Sequence, residues 1–143
     1  MDIARLIVGR PSADIVYCEA ATSVREAVAM LAERRIGALP VMDGGKVAGV
    51  FSERDVLYCM AHEGAAALDR TVGEVMTAPA IAVAPGTKVD EALALMTERR
   101  IRHLPVVDGE TMCGFISIGD LVKSRLDEVE RDAAAMRSYI TTG

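Results

Sequence analysis

Apolar residues recur at helical spacing in two stretches of the chain. Each stretch places four of them at i, i+3, i+4 and i+7, namely Val24, Ala27, Val28 and Leu31 in the first and Val89, Ala92, Leu93 and Met96 in the second. This spacing puts the apolar residues on one face, so both stretches are predicted to be amphipathic helices. Thr22 or Ser23 is expected to cap the first helix, and Thr87 the second.

Short apolar runs flank both predicted helices and are typical of buried strands. They cover residues 15–18, 38–42 and 47–51 in the first half, and residues 80–83, 104–107 and 113–116 in the second. Asp-Gly turns separate the two runs that follow each helix, which favours hairpins. A second helix is predicted after each hairpin, from Ser52 to about His62 and from Gly119 onward. The order strand-helix-strand-strand-helix therefore occurs twice.

The two halves are related by a shift of 65 residues. From Thr22 and Thr87 through Asp55 and Asp120 the correspondence has no gap, and 17 of the 34 paired positions are identical. Both halves contain Leu-Pro-Val-x-Asp-Gly, followed by Gly-x-x-Ser-x-x-Asp. An internal repeat of this kind indicates two similar units that share a core.

The repeat divides the chain into five predicted segments. They are an N-terminal lead over residues 1–11, a first repeat over 12–62, a linker over 63–71, a second repeat over 72–125 and a C-terminal helical extension over 126–143. We expect the lead to pack a short helix against the first repeat.

The last helix carries a narrow, heptad-like apolar seam. Its residues are spaced 4, 3, 4, 3 and 4 apart: Val122, Leu126, Val129, Ala133, Met136 and Ile140. The seam either packs on its own domain or meets the same helix of a second subunit. Because no repeat partner remains beyond about Leu126, we favour a homodimer.

Composition narrows the class of partner. The formal net charge is −5 and the sequence pI is about 5.0, which argues against nucleic acid as a partner. No apolar run approaches the roughly 20 residues of a membrane span, and the charged start is unlike a signal peptide. We expect a cytoplasmic protein without a membrane partner. Its cysteines, Cys18, Cys59 and Cys113, form no C-x-x-C, so we interpret them as reduced apolar residues, with a redox-sensing thiol as the lesser alternative.

The Ser-x-x-Asp pairs, Ser52 with Asp55 and Ser117 with Asp120, are the candidate chemistry of the chain. Each pair lies where a strand ends and a helix begins, and a helix N-terminus offers free N–H groups to an anion. A serine hydroxyl can donate to a phosphate there, and an ionised carboxylate can accept from the hydroxyls of a ribose. The alternative is structural: the serine caps the helix, worth about 1 kcal/mol, and the aspartate complements its dipole.

With these motifs, the chain resembles a tandem pair of cystathionine-β-synthase (CBS) domains, or Bateman module, of the small stand-alone type. Val75-Met76-Thr77 also matches the usual opening of a repeat, and the resemblance covers roughly residues 6–125. It implies an α+β fold in which two β-α-β-β-α repeats pack with pseudo-two-fold symmetry, followed here by an extended C-terminal helix. In this family two clefts between the repeats take AMP, ADP or ATP, and in some members NAD or S-adenosylmethionine. Among these we favour AMP as a regulatory ligand.

The resemblance also assigns candidate ligand-binding residues to each cleft. In the cleft with Asp120 they are Ser12, Val16, Ile36, Gly37, Arg102, His103, Phe115, Ser117 and Asp120. In the cleft with Asp55 they are Thr77, Ile81, Ile101, Arg102, Val50, Ser52, Arg54 and Asp55. Ser12 and Thr77 form a matched hydroxyl pair at the 65-residue shift.

The two clefts are not expected to be equivalent. At the 65-residue shift Gly37 corresponds to Arg102, and Arg54 corresponds to Gly119. Arg54, Arg102 and His103 could reach phosphates, with solvated surface charge as the alternative. We therefore expect unequal affinities in the two clefts.

The function expected from the resemblance is a regulatory adenine-nucleotide sensor that modulates an unidentified partner protein. One alternative is a ligand-independent interaction module, by analogy with plant-organelle relatives that modulate thioredoxins. A remote alternative is a weak nucleotide hydrolase. His62 and His103 are the two histidines and lie far apart, and the sequence has no triad, metal-ligand spacing or P-loop. We therefore expect no catalytic residue, no metal, no required cofactor and no enzymatic activity.

Overall fold

The hairpin predicted in each half lies at the centre of that half in the computed structural model, which describes residues 1–142. β2 (Ala38–Asp43) pairs antiparallel with β3 (Lys46–Ser52), and β4 (His103–Asp108) pairs antiparallel with β5 (Thr111–Ser117) in the corresponding register. Gly44 turns the first hairpin with a φ of 60°, a conformation that glycine adopts without steric cost.

The predicted helices lie on either side of each hairpin. Of the two that precede the hairpins, the first ends before Arg35 and the second before Arg100, and both arginines adopt the left-handed conformation common at helix ends. Glu53 N–H donates to the Gly37 carbonyl, and Ile118 N–H donates to the Arg102 carbonyl, so each following helix begins in the same way. The four helices are α2 (Val24–Arg34), α3 (Glu53–Glu63), α5 (Val89–Arg99) and α6 (Ile118–Thr142).

The caps of α2 and α5 differ from each other. Ser23 caps α2, because its hydroxyl accepts a hydrogen bond from Glu26 N–H. The prediction that Thr87 caps α5 is wrong, since Lys88 occupies the N-cap position. The Thr87 hydroxyl instead accepts a hydrogen bond from Ala84 N–H and is used in the turn before the helix.

The predicted first strands are shorter than expected. β1 is only Cys18–Glu19 and runs parallel to β2, so most of the predicted strand over residues 15–18 is irregular. The strand predicted over residues 80–83 is wrong. Val83 forms a single parallel bridge to Val106, because Pro85 and Gly86 turn the chain immediately afterwards.

The N-terminal helix corrects the predicted packing of the lead. α1 (Ile3–Ile7) packs on the second repeat, not the first: Ile3 is fully buried there and Ile3 N–H donates to the Thr87 carbonyl. α4 (Val72–Val75) makes the corresponding contact with the first repeat, since Val72 N–H donates to the Thr22 carbonyl. Each repeat is thus completed by the segment that precedes the other repeat.

This exchange extends the internal symmetry with a different offset. Ala4 N–H donates to the Pro85 carbonyl, as Gly73 N–H donates to the Ala20 carbonyl. The acceptors Pro85 and Ala20 are 65 residues apart, but the donors are 69 apart (73 − 4 = 69). The segment before each repeat is therefore shifted by four residues relative to the repeat, and the structural counterpart of Thr77 is Val8.

Two apolar cores result, one in each repeat. The first lies between α2 and the β1–β3 sheet around Phe51 and Leu39, and the second lies around Met96, Leu104 and Ile116. β3 and β5 contact each other between the repeats. The CBS-type arrangement of mixed helices and strands with pseudo-two-fold symmetry is confirmed.

The C-terminal helix leaves the body of the protein. Leu121 and Ser124 are buried against the second repeat, whereas every side chain from Val129 to Thr141 is exposed. That stretch of 13 residues is about 20 Å long at 1.5 Å per residue. Among residues 1–142, no helix has both the length and the hydropathy needed to span a membrane.

Candidate functional site

The two Ser-x-x-Asp pairs form the same local structure. Ser52 N–H donates to Oδ2 of Asp55 over 2.9 Å, and Ser117 N–H donates to Oδ2 of Asp120 over 2.9 Å. Each aspartate thereby caps the helix that carries it, as the structural alternative predicted. Whether a carboxylate can also bind a ligand depends on what surrounds it.

The surroundings of Asp55 are closed. The residue is 8% exposed, and its Oδ1 accepts a 2.9 Å hydrogen bond from the Thr77 hydroxyl. Thr77 is held there because its backbone exchanges two 3.0 Å hydrogen bonds with Val50. Gly49 permits this approach, since a Cβ at its position would lie 2.6 Å from the Thr77 carbonyl oxygen.

The surroundings of Asp120 are different because the counterpart of Thr77 is Val8, which has no hydroxyl. Val8 is an exposed residue at the end of α1, and the chain then turns through Gly9. Arg10 Nη2 takes the place of the hydroxyl and lies 3.2 Å from Oδ1 of Asp120. The Asp120 side chain keeps 28% of its surface exposed, so its carboxylate is accessible.

A cavity of about 460 Å³ opens beside Asp120. Its walls come from the lead, the strands of both repeats and the start of α6, and they are mainly apolar. The lining residues are Ile7, Gly9, Arg10, Pro11, Asp14, Ile15, Val16, Ile36, Ala38, His103, Cys113, Gly114, Phe115, Ser117 and Asp120. Its volume lies in the range of small-molecule sites, and a few polar groups are gathered at one end of an apolar cleft, as such sites require.

Two titratable side chains face this cavity. Burial alone would raise the pKa of Asp120, but hydrogen bonds from Ser117 N–H and from Arg10 outweigh it and hold that pKa below its ordinary value. Burial lowers the pKa of His103, against the opposing influence of Asp120 and Glu53. The His103 ring stacks on Phe115 with centroids 5.6 Å apart. At neutral pH the site thus presents a carboxylate and a neutral imidazole.

Six of the nine residues predicted for this cleft line the cavity. They are Val16, Ile36, His103, Phe115, Ser117 and Asp120. Ser12, Gly37 and Arg102 are not among the lining residues, although Gly37 lies behind the His103 ring. The 65-residue shift misplaced Ser12, because the lead follows the 69-residue offset.

The residues predicted for the other cleft are largely engaged with one another. Ser52, Asp55, Thr77 and Val50 form the closed arrangement described above. Ile81 and Ile101 pack against the core of the second repeat. The Arg54 guanidinium donates to the Arg100 carbonyl over 3.0 Å and so completes the end of α5.

Sequence reasoning missed the contribution of the lead. Arg10 and Asp14 supply charge to the cavity, and Gly9 and Pro11 shape its rim. The similarity of Ile3–Ile7 to the segment before the second repeat was the available signal, but it needed the 69-residue offset. Cys113 also lines the cavity and was interpreted only as a small apolar residue. Over residues 1–142 no group of three or more histidine, cysteine or carboxylate side chains is arranged to hold a metal ion.

Comparison with known proteins agrees with this geometry. The family model described as "CBS domain" matches twice, over residues 3–62 and 72–127. The chain belongs to the CBS-domain family. Both matches include the segment that precedes the hairpin repeat, α1 in one case and α4 in the other.

Among curated CBS-domain proteins, the chain is 35% identical over 133 residues to the mitochondrial protein CBSX3 of Arabidopsis thaliana. That match covers 90% of this chain and 65% of the plant protein. The chain is also 36% identical over 114 residues to inosine-5'-monophosphate dehydrogenase of Mycobacterium leprae, but this covers only 20% of the enzyme. The chain therefore shares only the CBS region with that enzyme.

Solved CBS-domain structures superpose closely on this one. A signal-transduction protein with CBS domains from Burkholderia ambifaria is 40% identical, with a TM-score of 0.81 over 89% of this chain and 95% of that one. CBSX2 in complex with AMP is 27% identical, with a TM-score of 0.77 over 88% and 96%. The CBS-domain pair of protein MJ0100, in complex with 5'-methylthioadenosine and S-adenosylmethionine, is 25% identical, with a TM-score of 0.73 over 88% and 98%.

Proposed function

We propose that this protein is a regulatory module that binds an adenine nucleotide, with AMP as the simplest ligand, in the cavity beside Asp120. The observation that carries the proposal is the pairing of an apolar cavity with an accessible, ionised carboxylate at one end. The base would lie among Val16, Ile36 and Phe115, and the ribose hydroxyls would donate to Asp120.

The phosphate end of the ligand meets the start of α6. Ser117 offers a hydroxyl there, and a helix N-terminus favours negative charge because its first N–H groups lack intrahelical partners. His103, held neutral by its lowered pKa, supplies a hydrogen bond rather than a charge. The solved complexes of CBSX2 with AMP and of MJ0100 with two adenosine derivatives support an adenosine-containing ligand.

Ligand binding would link the parts of the chain that build the cavity. Ile36 and Ala38 belong to the first repeat, Phe115 and Ser117 belong to the second, and Arg10 belongs to the lead. A ligand that contacts all three favours one relative arrangement of them, to the extent of its differential affinity. We infer that this arrangement is read by a partner protein, whose identity and cellular location stay outside the proposal.

We also infer that the protein is a homodimer in which two copies of α6 pair in parallel. Isolated helices shorter than about 12–15 residues are marginal in water, so the exposed end of α6 needs a partner. In a parallel pair Arg125 of one copy faces Glu130 of the other, and Asp132 faces Arg137. An antiparallel pair with the same overlap would place Glu130 beside its own copy and Lys123 beside Arg137, which is repulsive.

Isothermal titration calorimetry of the purified, nucleotide-stripped protein tests the proposed function. AMP, ADP, ATP, NAD and S-adenosylmethionine are titrated separately, with GMP as the control for base recognition. We expect at least one of the adenosine compounds to bind at one molecule per chain, more tightly than GMP. Absence of heat and of thermal stabilisation with all five at millimolar concentration would overturn the proposal.

A further inference from the structure

A second, polar cavity of about 210 Å³ lies on the far side of Asp120 from the apolar one. Its charged residues come from the lead and from one face of α6. They are Arg5, Arg10, Asp120, Lys123, Asp127 and Arg131. Arg10 and Asp120 line both cavities, so the two are neighbours that meet at this ion pair.

The charge of this second cavity is positive. Four cationic side chains face two carboxylates, and one of those carboxylates, Asp120, is already paired with Arg10. Within residues 1–142 Arg5 and Lys123 make no ion pair or side-chain hydrogen bond, and Arg131 contacts only the Asp127 carbonyl. Cations that converge on a cavity without partners are suited to an anion.

The position of Asp120 relates this cavity to the proposed nucleotide. A ribose that donates to Asp120 has its base on the apolar side and its phosphate substituents on the other. The α6 residues Asp120, Lys123, Asp127 and Arg131 follow helical spacing, so they line a path along the helix away from the ribose. Arg10, fixed by its bond to Asp120, stands at the beginning of that path.

We propose that the polar cavity is a binding site for the terminal phosphates of a nucleoside di- or triphosphate. The proposal rests on the function proposed above and names its ligand class more closely. Arg5, Arg10, Lys123 and Arg131 contact the β- and γ-phosphates, while the apolar cavity and Asp120 bind the nucleoside in the same way for AMP, ADP and ATP. The protein therefore distinguishes nucleotides by phosphate number, and ATP binds more tightly than AMP.

The test compares AMP and ATP on the full chain by calorimetry. For the wild type we expect ATP to bind on the order of tenfold more tightly than AMP, equivalent to about 1.4 kcal/mol. Lys123→Ala and Arg5→Ala should each weaken ATP binding several-fold and leave AMP binding within about twofold. Raising the salt concentration should reduce the preference for ATP, because exposed charges are screened.

Arg125→Ala is the matched control, because Arg125 lies on the same helix but pairs with Glu128 and Asp90 outside the cavity. It should leave both affinities unchanged. If AMP binds and ATP binds no more tightly, or if the variants weaken both nucleotides equally, the phosphate site is overturned and the proposed function survives. If no adenosine compound binds, both proposals fail together.

Discussion

The hydroxyl of Thr77 donates a 2.9 Å hydrogen bond to Oδ1 of Asp55 and closes one of two related clefts. At the structurally equivalent position of the other cleft stands Val8, and Arg10 approaches Asp120 instead. One side-chain difference thus separates a structural carboxylate from an accessible one, although both aspartates lie in the same sequence motif.

Thr77→Val is expected to destabilise the fold. The substitution keeps the shape of the side chain but removes the donor to a carboxylate that is 8% exposed. Loss of a hydrogen bond to a buried group costs about 1–3 kcal/mol. Urea denaturation followed by circular dichroism measures the loss. The conservative variant Thr77→Ser should recover most of the stability, and an unchanged midpoint in Thr77→Val would refute the structural role.

Cysteine labelling should distinguish the two kinds of environment that the thiols occupy. Burial, reinforced by Glu19 and Glu26, raises the pKa of Cys18 to about 11, so at pH 8 only about one thiol in a thousand is the reactive thiolate. Cys113 lines the apolar cavity and is partly exposed. We expect iodoacetamide to modify Cys113 before Cys18 in the folded protein, and a bound nucleotide to slow the reaction at Cys113. Mass spectrometry of tryptic peptides reads both rates, and labelling of Cys113 that is indifferent to saturating nucleotide would count against ligand in this cavity.

The lowered pKa of His103 predicts a pH dependence of stability. Below its ordinary value of 6.5 the unfolded chain takes up a proton that the folded protein does not, so stability falls with pH from about 6.5 down to the folded pKa. His103→Phe keeps a ring against Phe115 and removes this titration. The difference in melting temperature between pH 7.5 and pH 5.5 should be smaller in this variant than in the wild type. His62→Phe, at an exposed position, controls for the loss of an imidazole, and an equal effect of both variants would contradict the assignment.

The exposed seam of α6 predicts a dimer that a single charge disrupts. Leu126 is 62% exposed in one chain and lies at a seam position, so Leu126→Glu should yield monomers in light scattering at tens of micromolar, whereas the wild type should be dimeric. Orientation is tested by charge reversal. Glu130→Arg should weaken the dimer and Arg125→Glu together with Glu130→Arg should restore it if the helices are parallel. A monomeric wild type would refute the pairing altogether.

Much of the fold follows from local patterns that the sequence displays directly. The helical spacing around Leu31 and Met96 and the two Asp-Gly hairpins fixed four helices and four strands, because burial and turn geometry act over a few residues. The short first strands were less predictable. Val83 makes one bridge where a strand was expected, since its extent depends on a partner distant in sequence.

The site was only partly predictable for the same reason. Ser117, Asp120 and Phe115 belong to the gapless part of the repeat, and they lie together in the apolar cavity as expected. The roles of Arg10 and Thr77 depend on which repeat the preceding segment packs against. That choice is a tertiary one, made by hydrogen bonds such as Ile3 N–H to Thr87, and the 65-residue alignment did not contain it. The predicted cytoplasmic location and segment boundaries stay predictions.

The central claim is that one cleft binds adenine nucleotide and the other is structural, and paired substitutions test it most directly. Calorimetry with the tightest-binding adenosine compound compares the wild type with Asp120→Asn and Asp55→Asn. We predict one site per chain in the wild type and in any folded Asp55→Asn protein, a loss of at least tenfold in affinity for Asp120→Asn, and a lowered unfolding midpoint for Asp55→Asn. Binding that survives Asp120→Asn but disappears in a folded Asp55→Asn protein would contradict this account.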